Sequence, residues 1–342
     1  MVGSHIPRRF ASEDQLEESL AAPPAWLPEA LARAPGDIVV LGAAGKMGPS
    51  LAITAKRAGG GRRVIAVSRF SEKGVAERLQ RAGVEILPCD LLDRAQVARL
   101  PQAANVIYLA GRKFGTGADA PKTWAMNALV PANVCERYEG ARIVALSTGC
   151  VYPLVPSDRA CDEDVPPAPV GEYAQSCLAR ERVFQHYAGE GRVRCVLVRL
   201  NYALEPRYGV VHDIARAILD DEPVERGAPC FNGIWQGDAN AMVLGMLELA
   251  ASPAAVMNLT GPETASVTAV AEELGRLLGR TPRFVGEPGT HAWLNDARRA
   301  LSRFGYPRVP LAQIVEMTAA WLADGRRSLG KPTHFSAVDG TF

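Results

Sequence analysis

The feature that most constrains the fold is a regular alternation of short β-rich runs with helical patterns between Asp37 and Leu200. The runs are almost entirely apolar, which is typical of strands buried on both faces. Because helical segments separate them, the pattern predicts an α/β protein whose parallel sheet is doubly wound, with helices on both faces. The predicted strands cover residues 38–41, 64–67, 84–87, 106–109, 143–147 and 193–198.

A glycine-rich loop follows the first predicted strand directly and opens a helix. Gly42, Gly45 and Gly48 are spaced three residues apart, with Lys46 and Met47 inside the loop. The first glycine permits a tight turn, the second lets the backbone approach a pyrophosphate, and the third allows close contact between helix and strand. The helix N-terminus offers N–H groups to an anion. The motif in this context predicts a dinucleotide-binding site.

The end of the second predicted strand indicates which dinucleotide is preferred. An acidic residue there would bind the ribose 2′-hydroxyl of NAD. The chain instead has Ser68 and Arg69, and a guanidinium is well suited to a 2′-phosphate. Lys46 is a candidate for a second cation. The sequence therefore favours NADP, and NAD is the alternative. A further possibility is that Lys46 and Arg69 are simple surface charges with no part in cofactor binding.

Bulk composition narrows the class of protein. A formal net charge of +1 with scattered basic residues argues against nucleic acid or anionic lipid as a partner. No apolar run is long enough for a membrane helix, so a cytoplasmic protein is expected. The seven cysteines show no paired short spacing and the histidines are isolated, so neither a disulfide framework nor a metal site is predicted.

Further motifs follow the later strands. They read Cys89-Asp90-Leu91, Tyr108-Leu-Ala-Gly111, Ser147-Thr148-Gly-Cys-Val-Tyr152, Gly171-Glu-Tyr173 and Arg199-Leu-Asn201-Tyr202. With the glycine loop, they make residues 37–325 resemble the extended short-chain dehydrogenase/reductase superfamily, in its NAD-dependent epimerase/dehydratase group. The resemblance implies Thr148 and Tyr173 as the catalytic hydroxyls. It implies cofactor contacts from Asp90, Leu91, Ala110, Gly111 and Asn127, and substrate contacts from Tyr152, Arg199, Asn201 and Trp235.

One departure from that pattern concerns the catalytic helix. The family places a lysine four residues after the tyrosine, where it lowers the tyrosine pKa, and this chain has Cys177 there. An unperturbed tyrosine is only about one part in a thousand ionised at pH 7. Oxidation with Tyr173 as base is therefore expected to be poor, whereas reduction is less affected. Cys177 as a nucleophile is a further hypothesis. Arg180 lies on the same helix face and is a candidate cation, although a surface position is expected.

Three acidic residues before Tyr173 are candidates for a proton-transferring group in epimerase or dehydratase chemistry. They are Glu163, Asp164 and Glu172. Acidic residues in such loops are commonly without a catalytic role.

The domain organisation follows from changes in composition. Residues 1–35 are predicted as an arm with one or two short helical turns, and prolines and glycines after Leu200 indicate a second, smaller lobe. A final strand near 256–260 and helices near 266–278 and 311–323 are also predicted. We expect an NAD(P)-binding Rossmann domain over 36–200, completed by about 236–262, a substrate lobe over 201–235 and 263–325, and a tail over 326–342.

Taken with the resemblance, these features predict an oxidoreductase of the epimerase/dehydratase type that acts on a small sugar-like or hydroxyacid carbonyl. A non-redox isomerase or dehydratase, and an NADP-binding sensor or scaffold, are the alternatives. Segments 120–138 and 172–189 resemble the helices that pair in family dimers, so a homodimer is expected.

Overall fold

A seven-stranded sheet lies at the centre of the computed structural model, which describes residues 6–113, 115–116, 118–331 and 333–340. Every neighbouring pair of strands is parallel, and the spatial order is β3-β2-β1-β4-β5-β6-β7. The predicted doubly wound α/β fold is confirmed, and each predicted strand lies within two residues of an observed one. The strands are β1 Ile38–Leu41, β2 Val64–Ser68, β3 Glu85–Pro88, β4 Asn105–Tyr108, β5 Arg142–Thr148, β6 Arg194–Leu200 and β7 Ala255–Leu259.

Helices cover both faces of the sheet and build the remainder of the molecule. None of the helices within the described residues is both long and apolar enough to cross a membrane. The α-helices are α1 Glu13–Leu20, α2 Leu27–Ala32, α3 Gly48–Ala58, α4 Val75–Arg81, α5 Arg94–Ala98, α6 Ala120–Trp124, α7 Val130–Arg137, α8 Gly171–Gly189, α9 Val210–Leu219, α10 Gln236–Gly245, α11 Val267–Leu278, α12 Arg298–Phe304 and α13 Leu311–Ala323. Short 3₁₀ helices occupy Gly149–Val151 and Met246–Leu249. Two-stranded pairings join the short strands Val155–Pro156, Ala203–Leu204, Val224–Glu225, Cys230–Asn232, Ile234–Trp235, Thr264–Ser266, Phe284–Val285 and His291–Ala292.

A turn of π-helix separates α6 from α7. It spans Ala125–Leu129, so the helix predicted over 120–138 is present but carries one widened turn. Pro131 has no N–H to donate to the carbonyl of Asn127, which interrupts the ordinary ladder of hydrogen bonds at this point. The wider turn sets the direction in which Asn127 points.

Alternation along each strand divides the core between the two faces of the sheet. In β1, Ile38 and Val40 pack into the cluster that contains α3 and α10, whereas Val39 and Leu41 pack into the cluster that contains α7 and α8. All four side chains are fully buried. The sheet is therefore a rigid layer, and its carboxyl edge holds the following loops in fixed positions.

A second apolar core lies beyond the sheet. It is built from α9, α11 and α13 together with the N-terminal arm, whose Phe10 and Leu16 are buried there. The Phe10 ring stacks on Trp235 with a centroid distance of 6.5 Å. The arm contains the two short helices α1 and α2. Its α1 packs into this second lobe, whereas Leu27 and Leu31 of α2 are buried in the core on the α3 and α10 side of the sheet.

The C-terminal strap, which we define as the described residues between 326 and 340, runs over the opening between the two lobes. The Leu329 N–H donates to the Arg207 carbonyl at 3.1 Å. Both the N–H and the hydroxyl of Thr333 donate to the Asp213 carboxylate on α9. Farther along, Gly340 packs so closely on Gly171 that a Cβ on Gly171 would lie 2.4 Å from the Gly340 carbonyl oxygen.

Candidate active site

The glycine loop connects β1 to α3 in a tight turn. Gly42 has φ of +81°, and a Cβ on it would lie 2.8 Å from the Ala110 nitrogen at the end of β4. A Cβ on Gly48 would lie 2.3 Å from the Ala43 carbonyl oxygen, so only glycine allows α3 to start this close to the strand. A Cβ on Gly45 would meet only the Gly42 oxygen at 3.3 Å, which leaves its backbone open to a ligand.

The first turn of α3 is free of side-chain capping. Its N-cap residue, Met47, makes no side-chain hydrogen bond to the helix, and Pro49 stands in the first turn, where a missing N–H costs nothing. Uncapped N–H groups at a helix start attract an anion. The loop and helix therefore have the shape and polarity that a dinucleotide pyrophosphate requires.

The ends of β2 and β3 lie beside this loop. Ser68 is half-buried at the end of β2, and Arg69 is exposed. After β3, Asp90 accepts a hydrogen bond from the Leu92 N–H at 3.0 Å, and Leu91 is buried in the core. None of residues 68–70, at the end of β2, carries a carboxylate.

Lys46 points away from Ser68 and Arg69, contrary to its predicted place beside a 2′-phosphate. Its ammonium donates to the Ala203 carbonyl at 2.5 Å and lies 3.7 Å from the centroid of the Tyr208 ring. The carbonyl and the aromatic face across the cleft are the polar partners of this ammonium inside the fold. Burial lowers the pKa of Lys46 to about 7. Lys46 thus bridges the two lobes.

A cavity of about 250 Å³ opens next to the glycine loop, at the carboxyl edge of the sheet. Thr148 lines it from the end of β5 and Tyr173 from the first turn of α8, so the structure brings the two predicted catalytic hydroxyls together. Thr148 also accepts a hydrogen bond from the Cys150 N–H at 3.2 Å, which fixes its rotamer. The residues that line the cavity are Gly42, Gly45, Lys46, Met47, Gly48, Leu109, Lys113, Leu146, Ser147, Thr148, Cys150, Tyr173, Leu200, Asn201, Tyr202, Ala203 and Tyr208.

Tyr173 is held as a neutral phenol. Burial raises its pKa well above the ordinary value, the nearby thiols of Cys177 and Cys150 act in the same direction, and Arg180 acts against them. Cys177 is fully buried and does not line the cavity. Its thiol is hydrogen-bonded to Tyr173, and burial raises the pKa of the thiol itself. A buried thiol with a raised pKa is a poor nucleophile.

Arg180 is buried, and the expectation of a surface position is wrong. Its guanidinium donates to the Asn127 side-chain oxygen at 2.6 Å and to the Leu146 carbonyl at 2.9 Å. Gly111 makes room for it, since a Cβ there would lie 2.4 Å from an Arg180 nitrogen. The hydrogen bonds to Asn127 and to the Leu146 carbonyl stabilise the guanidinium of Arg180 inside the fold, although the sequence pattern predicts it at the surface.

Asn127 is the centre of this buried network. Its side chain accepts from the Arg112 N–H at 3.0 Å and donates to the Arg112 carbonyl at 3.1 Å and to the Ser176 hydroxyl at 2.8 Å. With Arg180 as well, all of its hydrogen-bonding capacity is used within the protein. The structure therefore places Asn127 as a clamp on the loop after β4 rather than as an open cofactor contact.

The four predicted substrate contacts are placed differently from one another. Asn201 lines the cavity, although its amide also donates to Asn232 at 2.6 Å. Tyr152 is buried and donates to Asn258 at 2.9 Å. Arg199 forms a buried ion pair with Glu181, and Trp235 stacks on the arm. These last three do not reach the cavity, because internal partners hold them beneath it.

The three acidic candidates also lie outside the cavity. Glu163 is buried, accepts from the Asn258 N–H at 2.9 Å and pairs with Arg299. Asp164 pairs with Arg299 as well, and Glu172 accepts from the Trp124 indole. The carboxylates of Glu163 and Asp164 hold the loop before α8 against Arg299, and that of Glu172 joins α8 to α6.

Nine of the residues that line the cavity are not among the predicted site residues. They are Leu109, Lys113, Leu146, Ser147, Cys150, Leu200, Tyr202, Ala203 and Tyr208. The rule that ligands bind at the carboxyl ends of parallel strands would have drawn attention to Lys113, which follows β4 by five positions. Ser147, Cys150 and Tyr202 lie within the motifs that carry the family resemblance, so the motifs could have indicated them. Tyr208 lies in an irregular segment, for which the sequence offers no comparable signal.

A doubly wound sheet with a glycine loop at its switch point and two hydroxyls beside it defines a dinucleotide-binding protein of the Rossmann class. The sequence model of the NAD dependent epimerase/dehydratase family matches residues 38–225, which is more than half of the chain. The chain belongs to that family, and the resemblance described above is confirmed. No curated protein sequence matches the chain.

Solved structures with the same fold include several sugar-nucleotide epimerases. A UDP-galactose 4-epimerase is 24% identical with a TM-score of 0.68, over 84% of this chain and 99% of that chain. The UDP-glucuronic acid 4-epimerase from Bacillus cereus, in complex with NAD, is 21% identical with a TM-score of 0.71, over 85% and 100%. MoeE5 in complex with UDP-glucose and NAD is 22% identical with a TM-score of 0.69, over 84% and 99%. Likeness at this level of identity shows the fold.

Proposed function

We propose that the protein is an NADP-dependent oxidoreductase of the epimerase/dehydratase type that reduces a carbonyl of a small polar, sugar-like or hydroxyacid substrate. The observation that carries this proposal is the shared cavity, in which Thr148 and Tyr173 lie beside the glycine loop. A proton donor next to a dinucleotide site is the arrangement that carbonyl reduction needs.

The residues present fit a dinucleotide. The open backbone at Gly45 and the uncapped start of α3 would hold the pyrophosphate. Ser68 and Arg69 at the end of β2 would face the adenosine ribose, and their character favours NADP over NAD. Lys46 has no part in this preference, because its ammonium lies across the cleft. When bound, the reduced nicotinamide supplies the hydride.

The state of Tyr173 supports reduction over oxidation. A phenol with a raised pKa stays protonated at neutral pH, so it can donate its proton to the carbonyl oxygen as the hydride reaches the carbon. Thr148 would donate a hydrogen bond to the same oxygen. The substrate alcohol leaves with both new hydrogens, and the phenolate regains its proton from solvent. The reverse reaction needs the phenolate as base, which burial disfavours.

A second candidate is epimerisation or dehydration with transient redox. The fold relatives bind UDP-glucose or UDP-glucuronic acid together with NAD, and the family contains epimerases and dehydratases. A sugar nucleotide converted without net change in the absorbance of reduced nicotinamide would favour it. A third candidate, an NADP-binding sensor, is favoured by Cys177 at the lysine position and predicts binding without turnover.

Fluorescence titration with NADPH and with NADH tests the cofactor assignment first. At least tenfold tighter binding of NADPH, about 1.4 kcal/mol, is expected. Preference for NADH would overturn the NADP assignment, and binding of neither would overturn the dinucleotide site.

A carbonyl screen then tests the reaction with matched tyrosine variants. Tyr173→Phe is expected to abolish reduction while keeping NADPH affinity, because only the proton donor is lost. Tyr306→Phe is the control, since Tyr306 is 76% exposed and outside the cavity. Equal turnover by Tyr173→Phe and the parent would exclude Tyr173 as proton donor.

We also propose that the protein forms a homodimer through α6, α7 and α8. Leu129, on the π-turn between α6 and α7, is 61% exposed, which is unusual for a large apolar side chain. A second copy covering this helix pair would remove that surface from water.

A further inference from the structure

The position where the family places its lysine holds a buried thiol in this chain. Cys177 is fully buried, its sulfur lies 4.0 Å from the Asn127 amide nitrogen, and its thiol is hydrogen-bonded to Tyr173. Arg180, one turn farther along α8, directs its guanidinium to Asn127 and to the end of β5. Helix α8 therefore places no cation at the lysine position itself, and its Arg180 acts to lower the pKa of Tyr173 from outside the cavity.

Lys113 approaches the same tyrosine from another element. It belongs to the loop after β4 and lines the cavity together with Tyr173 and Thr148. Its ammonium nitrogen lies 5.8 Å from the centroid of the Tyr173 ring. An opposite charge at this range favours the ionised form of a neighbouring acid. The geometry thus brings a primary amine beside the Tyr173 ring by a route that the helix motif does not encode.

The backbone around Lys113 is fixed rather than free. Asn127 bonds both the N–H and the carbonyl of Arg112, the preceding residue. Arg180 in turn holds Asn127. The ammonium itself donates to the Thr333 carbonyl of the strap at 3.1 Å. An amine anchored at both its backbone and its tip is held in one place, which is what an electrostatic role in catalysis requires.

The charged and titratable groups around Lys113 come from several elements, and they include the Lys46 ammonium of the glycine loop, whose pKa Lys113 helps to lower. The thiols of Cys150 and Cys177 face it, and the Asp213 carboxylate on α9 lies on the strap side. Burial lowers the pKa of Lys113, while these three groups act in the opposite direction. The Asp213 carboxylate is the negative charge that favours the ammonium form in this set.

We propose that Lys113, from the loop after β4, supplies the positive charge beside Tyr173 that the family's helix lysine would otherwise supply, with Arg180 and Asn127 holding its loop in place. This inference rests on the proposed function for its role in turnover, but not for its effect on the tyrosine. As Tyr173 gives its proton to the substrate oxygen, the ammonium of Lys113 stabilises the phenolate that remains.

The first test needs no substrate. Replacing Tyr173 with 3,5-difluorotyrosine gives a more acidic phenol whose ionisation is followed by ¹⁹F NMR as a function of pH. Lys113→Met in this background is expected to make the acid dissociation constant about tenfold smaller, equivalent to about 1.4 kcal/mol. Lys113→Arg retains the charge and is expected to retain most of the effect. Lys122→Met, at an exposed position in α6, is the matched control and is expected to change nothing.

The second test measures turnover in otherwise natural protein. Lys113→Met is expected to lower kcat for carbonyl reduction at least tenfold, to change the alkaline limb of the pH profile and to leave the NADPH dissociation constant within about threefold. Adding Cys177→Lys to Lys113→Met is expected to recover part of the rate. Adding it to the parent is expected to give little gain, because the charge is already present.

The two tests separate the two proposals. If the parent protein reduces no carbonyl, the proposed function is rejected. The inference about Lys113 still holds in that case if Lys113→Met raises the pKa of the fluorinated Tyr173 in the ¹⁹F titration. An unmoved titration rejects the inference, whatever the activity. Far-ultraviolet circular dichroism of each variant ensures that a loss of rate is not a loss of fold.

Discussion

The buried ion pair beneath the cavity provides a prediction that separates a packing role of Arg199 from substrate binding. Arg199 is 3% exposed and Glu181 is not exposed at all. The guanidinium donates to the carboxylate at 2.8 and 3.1 Å, and the Ser147 hydroxyl donates to the same carboxylate at 2.6 Å. Glu181→Gln keeps the volume and some hydrogen bonds but leaves the guanidinium charge without its counterion.

The magnitude follows from the burial of both partners. Removing one member of a buried pair costs about 3–5 kcal/mol, because a charge remains in a poorly solvating site. At about 1.4 °C per kcal/mol for a chain of 342 residues, the unfolding midpoint of Glu181→Gln is expected to fall by roughly 4–7 °C. Replacing both partners, as in Glu181→Leu with Arg199→Met, removes the stranded charge and is expected to be much less destabilising than either single change.

Thermal and urea unfolding followed by circular dichroism measure these effects. Glu273→Gln is the matched control, because Glu273 pairs with Arg276 on an exposed helix face and little change is expected. The reasoning is refuted if Glu181→Gln unfolds within about 1 kcal/mol of the parent, or if the double variant is as unstable as the sum of the singles. A raised KM in Arg199→Met without loss of stability would instead support a substrate contact.

Three further outcomes are expected. Gly42→Ala forces a Cβ against the Ala110 backbone at 2.8 Å and is expected to abolish NADPH binding in a fluorescence titration; Gly60→Ala, also at positive φ but in open space, is the control that should still bind. Lys46 has a folded-state pKa of about 7, below its unfolded value, so the parent should gain stability relative to Lys46→Met as the pH rises from about 7 to 10, measured by unfolding midpoints; a pH-independent difference would contradict this. Leu129→Glu is expected to convert a dimer to a monomer in light scattering, and an unchanged mass would argue against that interface.

The sheet could be predicted closely because its strands are buried on both faces. Such strands appear as continuous apolar runs, and the local sequence of Val64 to Val67 or Ile143 to Ser147 is enough to locate them. The glycine loop could also be predicted from the sequence, because steric limits at Gly42 and Gly48 restrict both positions to glycine. In these segments the physical constraint acts within a few residues of the chain.

The positions of the charged side chains around the site could not be predicted from the local sequence. Arg180 was expected on the surface, since only its distant partners Asn127 and Leu146 explain its burial. Lys113 stands in an irregular loop, and its approach to Tyr173 depends on how α8 packs against the edge of the sheet. The glycine loop around Lys46 predicts a place beside the 2′-phosphate of the cofactor, but its ammonium donates to the Ala203 carbonyl on the opposite side of the cleft. Each of these positions is decided by contacts between residues far apart in the chain.

The π-turn at Ala125–Leu129 has a consequence for the evolution of this helix. Such a turn contains about one residue more than an α-helical turn. Deleting one residue from the turn would restore regular winding and rotate Asn127 by about 100° relative to one flanking helix. The Arg112 backbone would then lose its clamp. Relatives with and without this extra residue should therefore differ in how they hold the loop after β4, even where their catalytic helices are alike.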